Sequence, residues 1–222
     1  MYGPPNLLND DGTASIATAI MMSHHGFRRD LVRFVHALDR LDVARTDALR
    51  SEWRSFRFHL HGHHEAEDSG VFPNLAAQQS SVAATIERLS ADHRRIDPLL
   101  ERGDRAFAEL PATADDAASV IRELRTLLDP HLATEEAELF PYLRSAKEFP
   151  TPSTGAEVEL YAEGFAWAMQ GVAQDVIERV YEILPQILID RLAAARDAFQ
   201  ARCDRVWGPL AIGTTRTPIP DA

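Results

Sequence analysis

The chain has 222 residues, 45% of them apolar, a formal net charge of −11 at neutral pH and one cysteine, Cys203. That length can bury one core and carry an extension, while the negative balance repels phosphate backbones and anionic lipid, so nucleic acid and membrane are excluded as first partners. Cys203 has no partner for an internal disulfide, the start MYGPPNLLND lacks a secretory signal pattern, and no stretch approaches the roughly 20 apolar residues of a bilayer crossing. The expected compartment is the cytoplasm.

Helical periodicity dominates, and no segment reads as a strand. After a polar leader at residues 1–13, Thr13 or Ser15 caps a first helix running to about residue 42. Its seam is Ala17, Ile20, His24, Phe27, Leu31, Phe34, Leu38 and Leu41. A second helix, about 45–78, carries Leu49, Phe56, His59, His63 and Glu67 on one face. A third, about 81–110, aligns Val82, Ile86, Leu89, His93, Ile96, Leu100 and Phe107, with Pro98 expected to kink it after His93. A fourth, about 114–146, aligns Val120, Leu124, Leu127, His131 and Glu135. One histidine thus interrupts the apolar stripe of each helix. The predicted fold is all-α: an antiparallel up-down four-helix bundle over residues 14–147 with two additional C-terminal helices. Those two occupy a helical extension at 156–208, after a linker at 148–155 and before a tail at 209–222, and Pro185 divides them.

The bundle carries an internal repeat. His63, Glu67, Phe72 and Pro73 recur as His131, Glu135, Phe140 and Pro141, each 68 residues later. His24 is loosely echoed by His93, 69 residues on. Two hairpins of similar design therefore each supply one histidine from the first helix and a His-x3-Glu from the second. Residues four apart lie about 40° apart and one turn along a helix, so imidazole and carboxylate point at one spot. Burying four imidazoles and two carboxylates is costly unless something satisfies them, and a metal does so most completely. Mixed nitrogen and carboxylate donors without thiolate favour iron, manganese or zinc, and two carboxylates among four histidines suit a pair of ions.

His24, His63-x3-Glu67, His93 and His131-x3-Glu135, with Phe-Pro after each glutamate, resemble the hemerythrin-like (HHE cation-binding) family over about residues 14–147. The resemblance implies a four-helix bundle around two iron ions joined by an oxo or hydroxo bridge, with manganese or zinc ranked after iron. It also implies terminal histidines and bridging carboxylates from Glu67 and Glu135. Family members bind oxygen, sense oxygen or iron, or react with peroxide or nitric oxide. The reactant implied is therefore a small diatomic molecule or a peroxide. The oxygen-carrying members have a second histidine four residues along the third helix, where this chain has Asp97, and a bridging acid five after the fourth-helix histidine, where it has Glu136. The angle on a regular helix favours Glu135, and a helical bulge would exchange it with Glu136.

Two octahedral irons offer about twelve positions, of which four histidines, two bridging carboxylates and one bridging oxygen fill about ten. A fifth histidine would leave one open. His59, one turn before His63, is the candidate, whereas His61 and His64 are expected on the surface or behind the ligands rather than among them, and His25 and His36 off the first-helix seam. Asp97 and Glu138 either hydrogen-bond ligand imidazoles or stay solvated. Three functional classes follow: a di-iron oxidoreductase of oxidase or peroxidase/catalase type, an oxygen or iron carrier or sensor, and a non-redox metal-binding interaction module. The C-terminal helices could pack on the bundle, cap a channel to the metals, or form a homodimer interface.

Overall fold

The computed structural model describes residues 7–208; residues 1–6 of the expected leader and the whole expected tail, 209–222, lie outside the described residues. Among the described residues every regular element is helical. The α-helices are α1 (Ile16–Asp39), α2 (Thr46–Ala66), α3 (Phe72–Gln78), α4 (Ala83–Ala108), α5 (Ala114–Glu138), α6 (Gly155–Met169), α7 (Gln174–Tyr181) and α8 (Gln186–Trp207). None is long and apolar enough to cross a membrane. The chain divides into two compact units, one of residues 30–139 and one of residues 1–29 with 140–222.

In the unit of residues 30–139, α4 packs along α5 and α2. Trp53 stacks on Phe107 at 4.7 Å between ring centroids, and Phe34 meets both rings and Phe56 edge-on. The buried indole is satisfied because Trp53 Nε1 donates to Asp104 Oδ1 at 2.9 Å. Such offset and edge contacts add to the large apolar area these rings remove from water. Gly103 makes room for the stack, since a Cβ there would lie 2.2 Å from the Trp53 ring. Helix α4 continues through Pro98, and α5 through Pro130.

The helix expected over 45–78 is interrupted by one π-helical turn, Glu67–Val71, between α2 and α3. Pro73 has no N–H to give the Ser69 carbonyl, and its ring crowds that position. The ladder upstream widens instead, so that the Phe72 N–H reaches the Glu67 carbonyl five residues back. Single π turns of this kind are common at functional sites.

In the other unit, α6 packs against α8, and the part of α1 up to Arg29 receives the end of α6. Gly26 faces Trp167, where a Cβ would come within 2.7 Å of the ring. Phe27 packs on the same indole at 4.9 Å. Buried Arg29 donates to the Trp167 and Gln170 carbonyls at 3.0 and 2.8 Å, and His25 Nε2 lies 3.2 Å from the latter. These cationic and ring donors meet carbonyls that the last turn of a helix leaves without intrahelical partners. Helix α6 starts with a capping box: Thr154 Oγ1 accepts from Glu157 N, and Glu157 Oε2 from Thr154 N, both at 3.2 Å. The first of the two predicted C-terminal helices is two, because Gly171 (φ +85°) enters the left-handed region and separates α6 from α7.

Candidate metal centre

Within residues 30–139 the structure gathers donor atoms from α2, the π turn, α4 and α5. One ligand atom from each of His64, Glu67, His93 and His131 lies within 4.8 Å of the others, and all four residues are buried. Glu67 also belongs with His63 and Glu135, whose ligand atoms meet the same distance. Glu67 therefore stands between two donor sets.

The separations suit a shared ion. Metal–nitrogen bonds of about 2.1 Å put adjacent donors on one ion roughly 3 Å apart. His93 Nε2 and His131 Nε2 are 3.2 Å apart, His131 Nε2 and Glu135 Oε1 3.1 Å, and His63 Nε2 and Glu67 Oε1 3.2 Å. His131 Nε2 carries at most one proton in its neutral ring and cannot satisfy both of its neighbours with it. Glu67 Oε2 is buried without a hydrogen bond among the described residues; His93 Nε2 is 3.7 Å away. An unsatisfied buried oxygen amid converging imidazoles is the arrangement that a cation resolves.

Electrostatics agree with that chemistry. Burial pulls His131 down to about 4, against the pull of Asp92, whose carboxylate is 3.8 Å from Nδ1. Burial also lowers His93, opposed by its hydrogen bond to Asp68. Both rings are thus neutral at physiological pH, the form that binds metals. Burial, then the charges of Glu135 and Asp68, raise the Glu67 carboxyl well above the ordinary carboxylate range. A nearby cation would reverse that shift.

A residue beyond the predicted set orients the ring of His93. Asp68 Oδ2 accepts from His93 Nδ1 at 2.8 Å, and Ser90 Oγ donates to Asp68 Oδ1 at 2.8 Å. With Nδ1 protonated, the neutral ring turns the Nε2 lone pair toward the cluster. Phe72 stacks on the same imidazole at 5.7 Å. In the other unit, Phe140 packs on His24 at 5.1 Å. Each Phe-Pro repeat thus places its phenylalanine against one of the repeated histidines.

Of the predicted residues, His63, Glu67, His93, His131 and Glu135 come together in the unit of residues 30–139. His24 is fully buried on α1 in the other unit. His59 is half-buried on α2, edge-on to Phe58, and is not among the clustered donors. His64, expected off the site, is inside it: its ring stacks on that of His93 at 4.0 Å. His25, expected off the first-helix seam, is buried against the end of α6. Glu136 is only half-buried, whereas Glu135 is fully buried. Glu138 serves Thr85 and Arg88 on the surface. Asp97 is exposed and, with Glu65, Asp68 and His61, rims a cleft of about 370 Å³ whose inner residues are His64 and His93.

The sequence did contain a signal for His64. Trp53 and Leu60 are fully buried, and they continue the series Leu49, Trp53, Phe56, Leu60, His64, Glu67 at spacings of three and four. That line, rather than one through His59, is the inward seam of α2. Asp68 left no such mark, because its reach to His93 depends on the π turn.

A family model described as Hemerythrin HHE cation binding domain matches residues 15–143. No curated protein and no solved structure matched the chain.

Proposed function

The chain belongs to the hemerythrin HHE cation-binding domain family, and from that premise we propose that it holds two iron ions and uses them on oxygen, peroxide or nitric oxide. The arrangement proposed is an antiparallel bundle of α1, α2, α4 and α5. Its ligands would be His63, Glu67, His93, His131 and Glu135, joined by His24 on the strength of the sequence repeat alone. The observation that carries the reading is that buried Glu67 is common to two donor sets. Bound iron would supply a redox-active Lewis acid for a small oxygen- or nitrogen-containing reactant.

The chain's own groups prepare that chemistry. Asp68 fixes the ring of His93, and burial keeps the rings of His93 and His131 deprotonated. Burial favours the protonated form of the Glu67 carboxyl, and a bound cation would favour the carboxylate instead. The Phe72 ring shields one face of His93 from water. The cleft beside His64 and His93 is an approach of a size that admits a diatomic molecule or a peroxide.

Turnover is favoured over simple carriage if two coordination positions stay open, and reversible binding if only one does. Optical spectra of the reduced, iron-loaded protein exposed in turn to oxygen and to peroxide distinguish them. A charge-transfer band that appears with oxygen and disappears under vacuum supports a carrier. Rapid peroxide loss without a lasting band supports an oxidoreductase. No response to oxygen, peroxide or nitric oxide after iron loading contradicts both and leaves the non-redox binding module.

A further inference from the structure

The geometry points to His64 as the fifth imidazole ligand, sharing one ion with His93 and His131; the inference rests on the two-iron reading above and deepens it. The rings of His64, His93 and His131 have centroid separations of 4.0, 4.9 and 5.6 Å. One nitrogen of each, with a Glu67 oxygen, lies within 4.8 Å of the rest. His64 occupies the inward seam of α2, one turn beyond Leu60, and is 5% exposed.

Asp97, four residues after His93, is exposed and so does not carry a donor into the core from α4. His64 supplies one from α2 in its place. It also lines the inner side of the cleft. Counted with the four histidines of the repeat, it leaves a single open position of about twelve on two octahedral irons.

The test compares wild-type protein with His64→Ala, His64→Gln and His59→Ala. Each is loaded with ferrous iron under anaerobic conditions and then challenged with a chelator. Iron content and nitrogen couplings in pulsed electron paramagnetic resonance of the mixed-valent state are the readouts, and circular dichroism checks helix content. His64→Ala and His64→Gln are expected to hold one iron at least tenfold more weakly and to lose one imidazole coupling. His59→Ala is expected to keep both, and added imidazole to restore the coupling in His64→Ala. Unchanged iron retention and couplings in both folded His64 variants would overturn the ligand assignment while leaving the two-iron reading intact. A wild-type chain that takes up no iron would overturn both.

Discussion

Asp68 Oδ2 accepts from His93 Nδ1 at 2.8 Å, and it does so from the π turn that also carries Glu67. The same widened turn thus provides one carboxylate to the buried cluster and another to the far side of an imidazole. Asp68→Ala removes the group that fixes the ring and its tautomer. Iron affinity, measured by competition with a chelator, is expected to fall about 10- to 100-fold with little change in the melting temperature of the metal-free protein. An unchanged affinity would mean that packing against Phe72 alone orients His93.

Packing around Trp53 makes Gly103 irreplaceable. A Cβ there would lie 2.2 Å from a ring already stacked on Phe107, so the indole cannot retreat without breaking the stack. Gly103→Ala is expected to cost about 1–3 kcal/mol in urea unfolding despite the better helix propensity of alanine. Equal or greater stability would show that the stack is looser than its geometry implies.

Opposite slopes with pH are expected of the metal-free protein. His131 is pulled down from 6.5 to about 4, so its contribution is complete above about pH 6.5 and fades as pH falls toward 4, a loss of about 3 kcal/mol. Glu67 is raised above 4.5, so folding favours its protonated form and stability falls as pH rises through the folded value. Glu67→Gln removes the second effect only. Metal-free Glu67→Gln is expected to exceed wild type in urea midpoint at about pH 8, with the acid-side loss unchanged. A variant less stable than wild type at that pH would contradict the assignment.

Arg29 provides the test of how α6 is anchored. It is buried and donates to two carbonyls at the end of α6. Arg29→Ala leaves those acceptors without that donor and is expected to destabilise the unit of residues 1–29 and 140–222 by about 2 kcal/mol. Hydrogen exchange would report it as faster exchange in α6 and α8, with α4 unchanged.

Much of this was legible in the chain because two periodicities coincided. Apolar spacing marked the helices, and the repeat of His63 and Glu67 by His131 and Glu135 marked side chains that the structure brings together. Where the inward face of a helix is wider than one line, or a helix departs from regularity, that reasoning falls short. His64 lies about 100° from His63, which reads as off the site if the inward face is centred on His63. The buried seam through Trp53 and Leu60 instead admits both rings. The π turn follows from Pro73, but a proline alone does not say whether a helix will end, bend or widen, so nothing in the spacing points to Asp68. Gly171 breaks the predicted fifth helix through a left-handed backbone angle, which apolar spacing from Phe165 to Ile183 conceals. The Phe-Pro pairs recur with the repeat, and their phenylalanines pack on His93 and His24.

Metal stoichiometry tests the central claim most directly. The purified chain, stripped and reloaded anaerobically with ferrous iron, desalted and analysed by elemental mass spectrometry, is predicted to retain about two irons per chain. Glu67→Ala, which removes the carboxylate common to both donor sets, is predicted to retain fewer than one. One iron per chain, or two that survive the loss of Glu67, would contradict the account.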